Sequence, residues 1–210
     1  MRGIPKTSLD RLAHYHYYLK QLDRKHRDFV SDERLAADLN LPLPDVRKDL
    51  ENLDPMLTIS NIHQVKRLLE IIEACLGYNR SNRAVIVGAG KLGKALLDYH
   101  GFKTCGLDIA AVFDQDKAIA GTYLGNTQVL PVDRLEEMIL RLQVHIGIIT
   151  TPPEAAQSVT NRMIEAGITG IWNFSLAVLK APKLIAIQNS SLYGDFLKLK
   201  HKMEEKNECE

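Results

Sequence analysis

Three glycines in the run AVIVGAGKLGKALLDY have the spacing of a phosphate-binding turn. Gly88 allows a tight turn after a buried strand, Gly90 lets backbone approach a pyrophosphate, and Gly93 lets the next helix pack closely on the strand. The amino end of that helix offers N–H groups and a positive dipole end to phosphate oxygens. A second apolar run, IAAVFD, ends in Asp114 about 20 residues later, where a carboxylate can accept hydrogen bonds from ribose hydroxyls.

Together, the strand, the glycine turn, the helix and the distant acid predict a dinucleotide-binding site. A glycine turn in an unrelated α/β fold is the alternative. Asp114 favours NAD(H) over NADP(H), because its negative charge would repel a 2′-phosphate.

Strands and helices alternate around this turn and would position it. Helices are expected to begin near Lys91, Val132 and Pro153. The predicted strands are Ala84–Val87, Ala110–Phe113, Gln128–Leu130, His145–Thr150, Gly170–Phe174 and Leu184–Gln188. This alternation predicts an α/β fold with a doubly wound parallel sheet, the Rossmann arrangement.

Two loops follow strands at the edge of such a sheet where the cofactor crevice lies. Thr150, Thr151 and Pro152 follow the fourth predicted strand, and Asn173 ends the fifth. These residues are candidate contacts to the ribose and nicotinamide, although each could equally belong to a purely structural turn.

Helical spacing dominates before Gly77. The predicted helices are Leu9–Lys25, Asp32–Leu39 capped by Ser31, Pro44–Leu53 and His63–Leu76. Two short helices joined by a tight turn are typical of a helix-turn-helix. Arg47 and Lys48 lie off the apolar stripe of the second helix and could enter a DNA groove. The alternative is a small helical bundle with a solvated charged face.

Composition narrows the class of protein. The 210 residues carry a net charge of +1, so any DNA binding must depend on where the cations lie. Membrane spans need about 20 apolar residues, and the chain has no such run and no signal-peptide pattern at its start. The three cysteines are far apart and suit a reducing cytoplasm better than a disulfide or metal site.

The carboxyl-terminal run SSLYGDFLKLKHKMEEKNECE predicts an amphipathic helix. Leu192, Phe196 and Leu199 form one apolar side, which a partner subunit could cover. The predicted organisation is therefore a DNA-binding domain over residues 1–78, a dinucleotide domain over 79–188 and a dimerisation helix with its tail over 189–210.

These motifs resemble the Rex family of redox-sensing transcriptional repressors over almost the whole chain. The resemblance includes IPKTSLDRL, LAADLNLPLPDVRKDL, VGAGKLGKALLDYHGF, AAVFDQD, TTPPEAAQ and GITGIWNFSLAVLKAPKLIAIQN. It implies an N-terminal winged helix, a C-terminal Rossmann domain and a homodimer with a swapped C-terminal helix. It also implies that NADH releases the protein from operator DNA and that NAD+ permits binding.

The resemblance assigns roles to individual residues. Ser31, Arg47 and Lys48 would belong to the DNA-binding face, and Tyr99 to the redox-sensing region. The dinucleotide would be bound by Gly88, Gly90, Lys91, Leu92, Gly93 and Asp114. Independently of the resemblance, the predicted binding set also includes Ala89 in the same turn and the loop residues Thr150, Thr151, Pro152 and Asn173.

Two departures from the family pattern affect its expected function. The wing of the family is rich in glycine and basic residues, whereas residues 54–62 contain no Gly, Lys or Arg. Tyr17 and Ser191 stand where the family has a basic and an acidic switch residue. A second hypothesis is therefore a Rex-like paralogue with lost or altered operator binding, which would act as a nucleotide-dependent interaction protein.

A third hypothesis is an NAD-dependent reductase. Tyr99 and Lys103 match a Tyr-x-x-x-Lys pair, but they lie too close to the glycine turn, and Gly101 interrupts any helix between them. We therefore expect no catalytic residue.

Overall fold

The computed structural model describes residues 4–78 and 82–207, and of residues 206 and 207 only the backbone. The chain divides into two compact units, Met1–Arg80 and Ser81–Glu210. The predicted domain boundary at 78/79 adjoins residues 79–81, which lie outside the described ranges. Within those ranges, every helix is too short or too polar to span a membrane.

The first unit is helical with one small sheet. Its elements are α1 (Lys6–Arg24), β1 (Phe29–Ser31), α2 (Asp32–Asp38), α3 (Leu43–Leu53), a 3₁₀ helix (Pro55–Thr58), β2 (Ile62–Gln64) and α4 (Val65–Leu76). β1 and β2 pair antiparallel. The core contains the fully buried side chains Leu12, Tyr15, Leu19, Leu35, Leu50, Leu68 and Ile72.

Three helices of this unit begin at other residues than the sequence pattern predicts, and α3 differs by one residue, beginning at Leu43 instead of Pro44. α1 starts at Lys6 because the N–H of Leu9 already donates to the carbonyl of Pro5, at 3.0 Å. α4 starts at Val65, since His63 lies in β2 opposite Val30.

Residues 54–62 connect α3 to β2 where a winged helix would carry its wing. The Asp54 side chain accepts a hydrogen bond from the N–H of Met56 at 2.9 Å and caps the 3₁₀ helix. Within residues 4–78, β2 pairs with β1, and no second strand follows α3 to make a wing hairpin.

The second unit is a layered α/β domain. Its strands are β3 (Asn82–Val87), β4 (Leu107–Asp114), β5 (Tyr123–Leu124), β6 (Thr127–Pro131), β7 (Ile146–Ile149), β8 (Gly170–Asn173) and β9 (Ala186–Asn189). Its helices are α5 (Lys91–Leu97), α6 (Gly101–Thr104), a 3₁₀ turn (Val132–Arg134), α7 (Leu135–Leu142), α8 (Pro153–Glu165) and α9 (Leu192–Asn207).

The sheet order is β5-β6-β4-β3-β7-β8-β9, and every pairing is parallel except β5 with β6. The chain reverses its direction of winding at β3, which lies between β4 and β7. In such a sheet, ligands bind at the carboxyl ends of the strands at this switch point. The doubly wound fold predicted from the sequence is thus confirmed.

The last predicted strand lies two residues further along the chain than expected. β9 begins at Ala186, because the carbonyl of Pro182 accepts the N–H of Ile185 in a turn. Leu184, predicted to start the strand, is 90% exposed.

α9 leaves large apolar side chains in solvent within its own unit. Those more than half exposed are Leu192, Tyr193, Phe196, Leu199 and Met203. Exposed apolar surface of this kind is characteristic of an interaction face.

Candidate functional site

The turn between β3 and α5 lies at the switch point of the sheet. Gly88 has a φ of +107°, which side chains rarely permit, and its N–H donates to the carbonyl of Phe113 at 2.8 Å. A Cβ on Gly93 would lie 1.9 Å from the Gly88 carbonyl oxygen, whereas a Cβ on Gly90 would meet no atom within 4 Å. Gly88 and Gly93 therefore shape the turn, and the space beside Gly90 is open to a ligand.

Two threonines after β7 lie beside this turn. The Thr150 hydroxyl is 2.7 Å from the Gly88 carbonyl oxygen, so it holds the turn in place. Thr151 Oγ1 is buried and has no hydrogen-bond partner within the described ranges. Because an unsatisfied buried hydroxyl is costly, a polar group of a bound molecule would fit here.

Two helices, α5 and α8, begin directly after the glycine turn and after the threonine loop. Pro152 precedes α8, which runs for 13 residues. Lys91 is exposed and Leu92 half-buried at the start of α5, which has only 7 residues. Because the N–H groups of Gly88 and Ala89 donate to Phe113 and Asp114, the predicted phosphate contact would have to come from the N–H groups of Gly90 and of the first turn of α5.

Asp114 ends β4 beside the turn, as the spacing predicts. Its Oδ2 accepts the N–H of Ala89 at 2.7 Å, and its Oδ1 accepts the N–H of Asp116 at 2.9 Å. The carboxylate thus braces the glycine turn, a role that the sequence pattern did not indicate. Each oxygen has a further lone pair for a ribose hydroxyl.

Asn173 ends β8, but its side-chain amide makes its hydrogen bonds within the protein. Its amide nitrogen donates to the carbonyl of Ala177 and to Asn189 Oδ1, and its Oδ1 accepts from the backbone and hydroxyl of Ser175. The residue is 1% exposed. Of the two alternatives left open above, this geometry favours the structural turn.

Tyr99 lies between α5 and α6 and is 59% exposed. Its ring begins an aromatic row in which neighbouring ring centroids are 4.9, 5.6 and 4.9 Å apart, from Tyr99 through Phe102 and Trp172 to Phe174. Tyr99 and Lys103 do not share one helix, so the geometry of a reductase pair is absent from this described segment.

In the first unit, α2 and α3 form the predicted helix-turn-helix. Ser31 Oγ accepts the N–H of Arg34 at 3.2 Å, which confirms it as the cap of α2. Arg47 and Lys48 are exposed on α3, away from the buried Val46. This face has the arrangement that a recognition helix needs.

A buried ion pair fixes α3 to α1. Arg11 donates to both oxygens of Asp49, at 2.6 and 2.7 Å, and the Tyr15 hydroxyl donates to Asp49 at 2.7 Å. Burial opposes the charge on Asp49, but hydrogen bonds from Arg11, Ser8 and Tyr15 outweigh it and lower the pKa of this carboxyl. Sequence spacing could not indicate this cluster, because its members are 34 and 38 residues apart.

No group of three metal-ligating side chains occurs among the residues that the structure describes. Cys75 is exposed and Cys105 is partly buried, and Cys209 lies outside the described ranges.

Two family descriptions match the chain. Residues 3–51 match "Putative DNA-binding protein N-terminus", and residues 79–177 match "CoA binding domain". The first segment includes α2 and most of α3, and the second includes every strand of the large sheet except β9.

Curated relatives match nearly end to end. A redox-sensing transcriptional repressor Rex from Carboxydothermus hydrogenoformans is 38% identical over 91% of this chain and 93% of its own length. The Rex of Clostridioides difficile is 32% identical over 97% of each chain.

Solved structures agree with these relatives. RSP, described as a Rex-family repressor, shares 26% identity with the chain. Its complex with NADH covers 99% of this chain and 97% of its own at a TM-score of 0.86. Its complex with NAD+ and operator DNA covers 99% and 95% at 0.91. The chain belongs to the Rex family of redox-sensing transcriptional repressors.

Proposed function

We propose that this protein is a transcriptional repressor that binds NAD(H) and changes its affinity for operator DNA with the NADH/NAD+ ratio. The observation that carries the proposal is the glycine turn at the switch point of a sheet whose fold matches the NADH complex of RSP. We infer that a repressor of this kind works in the cytoplasm.

The cofactor would lie across the turn at Gly88–Gly93. Gly90 leaves room for the pyrophosphate, and Thr151 Oγ1 would gain a partner from the bound molecule. Asp114 would accept the ribose hydroxyls and would disfavour a 2′-phosphate. Lys91, Leu92 and Pro152 would line the same opening.

DNA would be bound by α3, with Arg47 and Lys48 facing the groove. Ser31, at the start of α2, would lie close to the phosphate backbone of the DNA. A homodimer would give two such helices, and the exposed apolar side of α9 supports its role as the swapped dimer contact. Tyr99 would belong to the region that responds to the nicotinamide.

The response to redox state is a linkage between two ligands. NADH must bind better to the dimer conformation that cannot hold DNA, and operator DNA must bind better to the other. The protein therefore needs no catalytic residue, in agreement with its membership of a repressor family rather than an enzyme family.

One observation favours a second candidate, a Rex-like paralogue with altered operator binding. Residues 54–62 have no cations and expose Met56 and Ile59, so the phosphate contacts of a basic wing are missing.

One titration separates the candidates. NADH and NAD+ are each added to the purified protein at fixed salt, with and without duplex DNA from its native promoter region. A repressor should lose promoter affinity with NADH and not with NAD+. Equal promoter affinity with both nucleotides would contradict the redox response. Binding no better than to a scrambled duplex would favour the paralogue.

A further inference from the structure

Two carboxylates from the start of α2 hold Arg47. Its Nε donates to Asp32 Oδ2 at 3.3 Å, and its Nη2 donates to Glu33 Oε1 at 2.9 Å. The two acids differ in exposure, since the Asp32 side chain is 7% exposed and that of Glu33 is 48% exposed. One contact is therefore anchored in the protein, and the other lies in solvent.

His63 fixes Asp32 from the opposite side. His63 Nε2 lies 2.7 Å from Asp32 Oδ1, and both side chains are almost fully buried. The N–H of Asp32 also donates to the carbonyl of Asn61, at 2.9 Å. The carboxylate that contacts Arg47 is thus held by His63 of β2, and the backbone of Asp32 is held by the segment before that strand, so the carboxylate can orient a flexible side chain.

This geometry leaves a particular part of the guanidinium for DNA. An arginine has five N–H donors in a planar fork, and its terminal pair can bind a base edge or a phosphate while Nε is held elsewhere. Glu33 occupies one terminal donor from the surface. DNA must displace Glu33 to use that donor, but it need not displace Asp32.

We propose that Asp32, fixed by His63, is a positioning residue for Arg47, and that Glu33 is an exchangeable competitor that DNA displaces. This inference rests on the proposed function, in which Arg47 contacts DNA. A base edge in the right position compensates for the lost contact between Arg47 and Glu33, whereas a randomly placed phosphate compensates for it only weakly. The pair of acids therefore increases the preference for specific over non-specific duplexes.

A double-mutant cycle tests the positioning role. The probe is the duplex that the wild-type protein enriches most from a randomised pool, and affinity is measured at one salt concentration. Arg47→Ala should weaken binding roughly 5- to 150-fold. Asp32→Asn should weaken it about 5- to 10-fold when Arg47 is present, and less than about 2-fold in the Arg47→Ala background.

The competitor role has its own measurement. Glu33→Gln should raise affinity for a scrambled duplex about 3-fold more than affinity for the enriched one, and only while Arg47 is present. Glu51→Gln is the matched control, because it removes the same charge from an exposed position on α3. It should raise both affinities by the same factor.

Each other outcome has a definite meaning. An equal loss for Asp32→Asn with and without Arg47 would overturn the positioning role, since a structural residue would act in both backgrounds. If urea titration shows that Asp32→Asn is unfolded, Asp32→Ser replaces it in the cycle. Unchanged binding by Arg47→Ala would overturn the inference alone, whereas no enriched duplex at all would overturn the proposed function with it.

Discussion

The two units build their binding surfaces in opposite ways. The nucleotide turn is shaped by backbone, because Gly88 and Gly93 leave no room for a Cβ and Thr150 and Asp114 brace main-chain groups. The proposed DNA face is shaped by side chains, since Arg47 donates hydrogen bonds to the carboxylates of Asp32 and Glu33.

This difference predicts two kinds of mutational response. A surface made from close-packed backbone should lose its structure when a single methyl group is added, because steric overlap does not depend on salt or pH. A surface made from ion pairs should respond in steps that depend on salt and pH. Four variants test that contrast, and their expected effects decrease from Gly93→Ala through Asp49→Ala and Gly90→Val to Ile59→Lys.

Gly93→Ala should have the largest effect. Its Cβ would lie 1.9 Å from the carbonyl oxygen of Gly88, a backbone atom that cannot move without disturbing β3. We expect the unit 81–210 to lose more than about 4 kcal/mol of unfolding free energy in thermal or urea unfolding. Gly90→Ala is the control and should unfold like the wild type. Similar stability of both variants would show that the turn tolerates side chains.

Asp49→Ala should cause the largest loss of stability among the variants in the DNA-binding unit. It leaves Arg11 and the buried Tyr15 hydroxyl without their partner, so we expect a loss of about 3 kcal/mol in urea unfolding at pH 7. The lowered pKa of Asp49 contributes stability above the unfolded value of about 3.9, and this is lost as pH falls through the folded value. The difference between wild type and variant should therefore shrink below about pH 4, and a constant difference would contradict the ion-pair account.

Gly90→Val should separate binding from folding. The added side chain fills space that is open in the protein, so stability should change little while the pyrophosphate is excluded. We expect NADH affinity to fall at least about 100-fold, which is about 2.7 kcal/mol, in a fluorescence titration. Retained enhancement of NADH fluorescence would place the cofactor elsewhere.

Ile59→Lys should have the smallest effect. Ile59 is 74% exposed in the segment that lacks cations, and a lysine there can add one phosphate contact. The slope of log affinity against log salt should steepen by about 0.9, with a gain of roughly 0.5–1 kcal/mol at low salt. Leu140→Lys adds the same charge to the other unit. If both variants change the slope equally, residues 54–62 do not face DNA.

The difference between a surface shaped by backbone and one shaped by side chains also explains what could be predicted from the sequence. The positions of most strands and of the glycine turn follow from local patterns, because apolar runs and glycines act within a few residues of chain. Ser31 was likewise predictable as a cap, since its bond reaches only three residues ahead.

Side-chain partners across the fold were beyond the reach of such patterns. Asp32 and His63 are 31 residues apart, and nothing in their spacing indicates a shared buried pair. Asn173 illustrates the opposite difficulty: its place at a strand end was predictable, but the bonds that occupy its amide come from Ala177 and from Asn189 on another strand.

The aromatic row contains the only tryptophan of the chain, Trp172, whose indole N–H donates to Ser190 Oγ at 2.9 Å. Trp172 immediately precedes Asn173 at the end of β8, and it shares the row with Tyr99. Its emission overlaps the absorption of a reduced nicotinamide but not of an oxidised one. In the proposed complex, energy transfer from this one tryptophan to the bound nucleotide would therefore distinguish NADH from NAD+ without any added label.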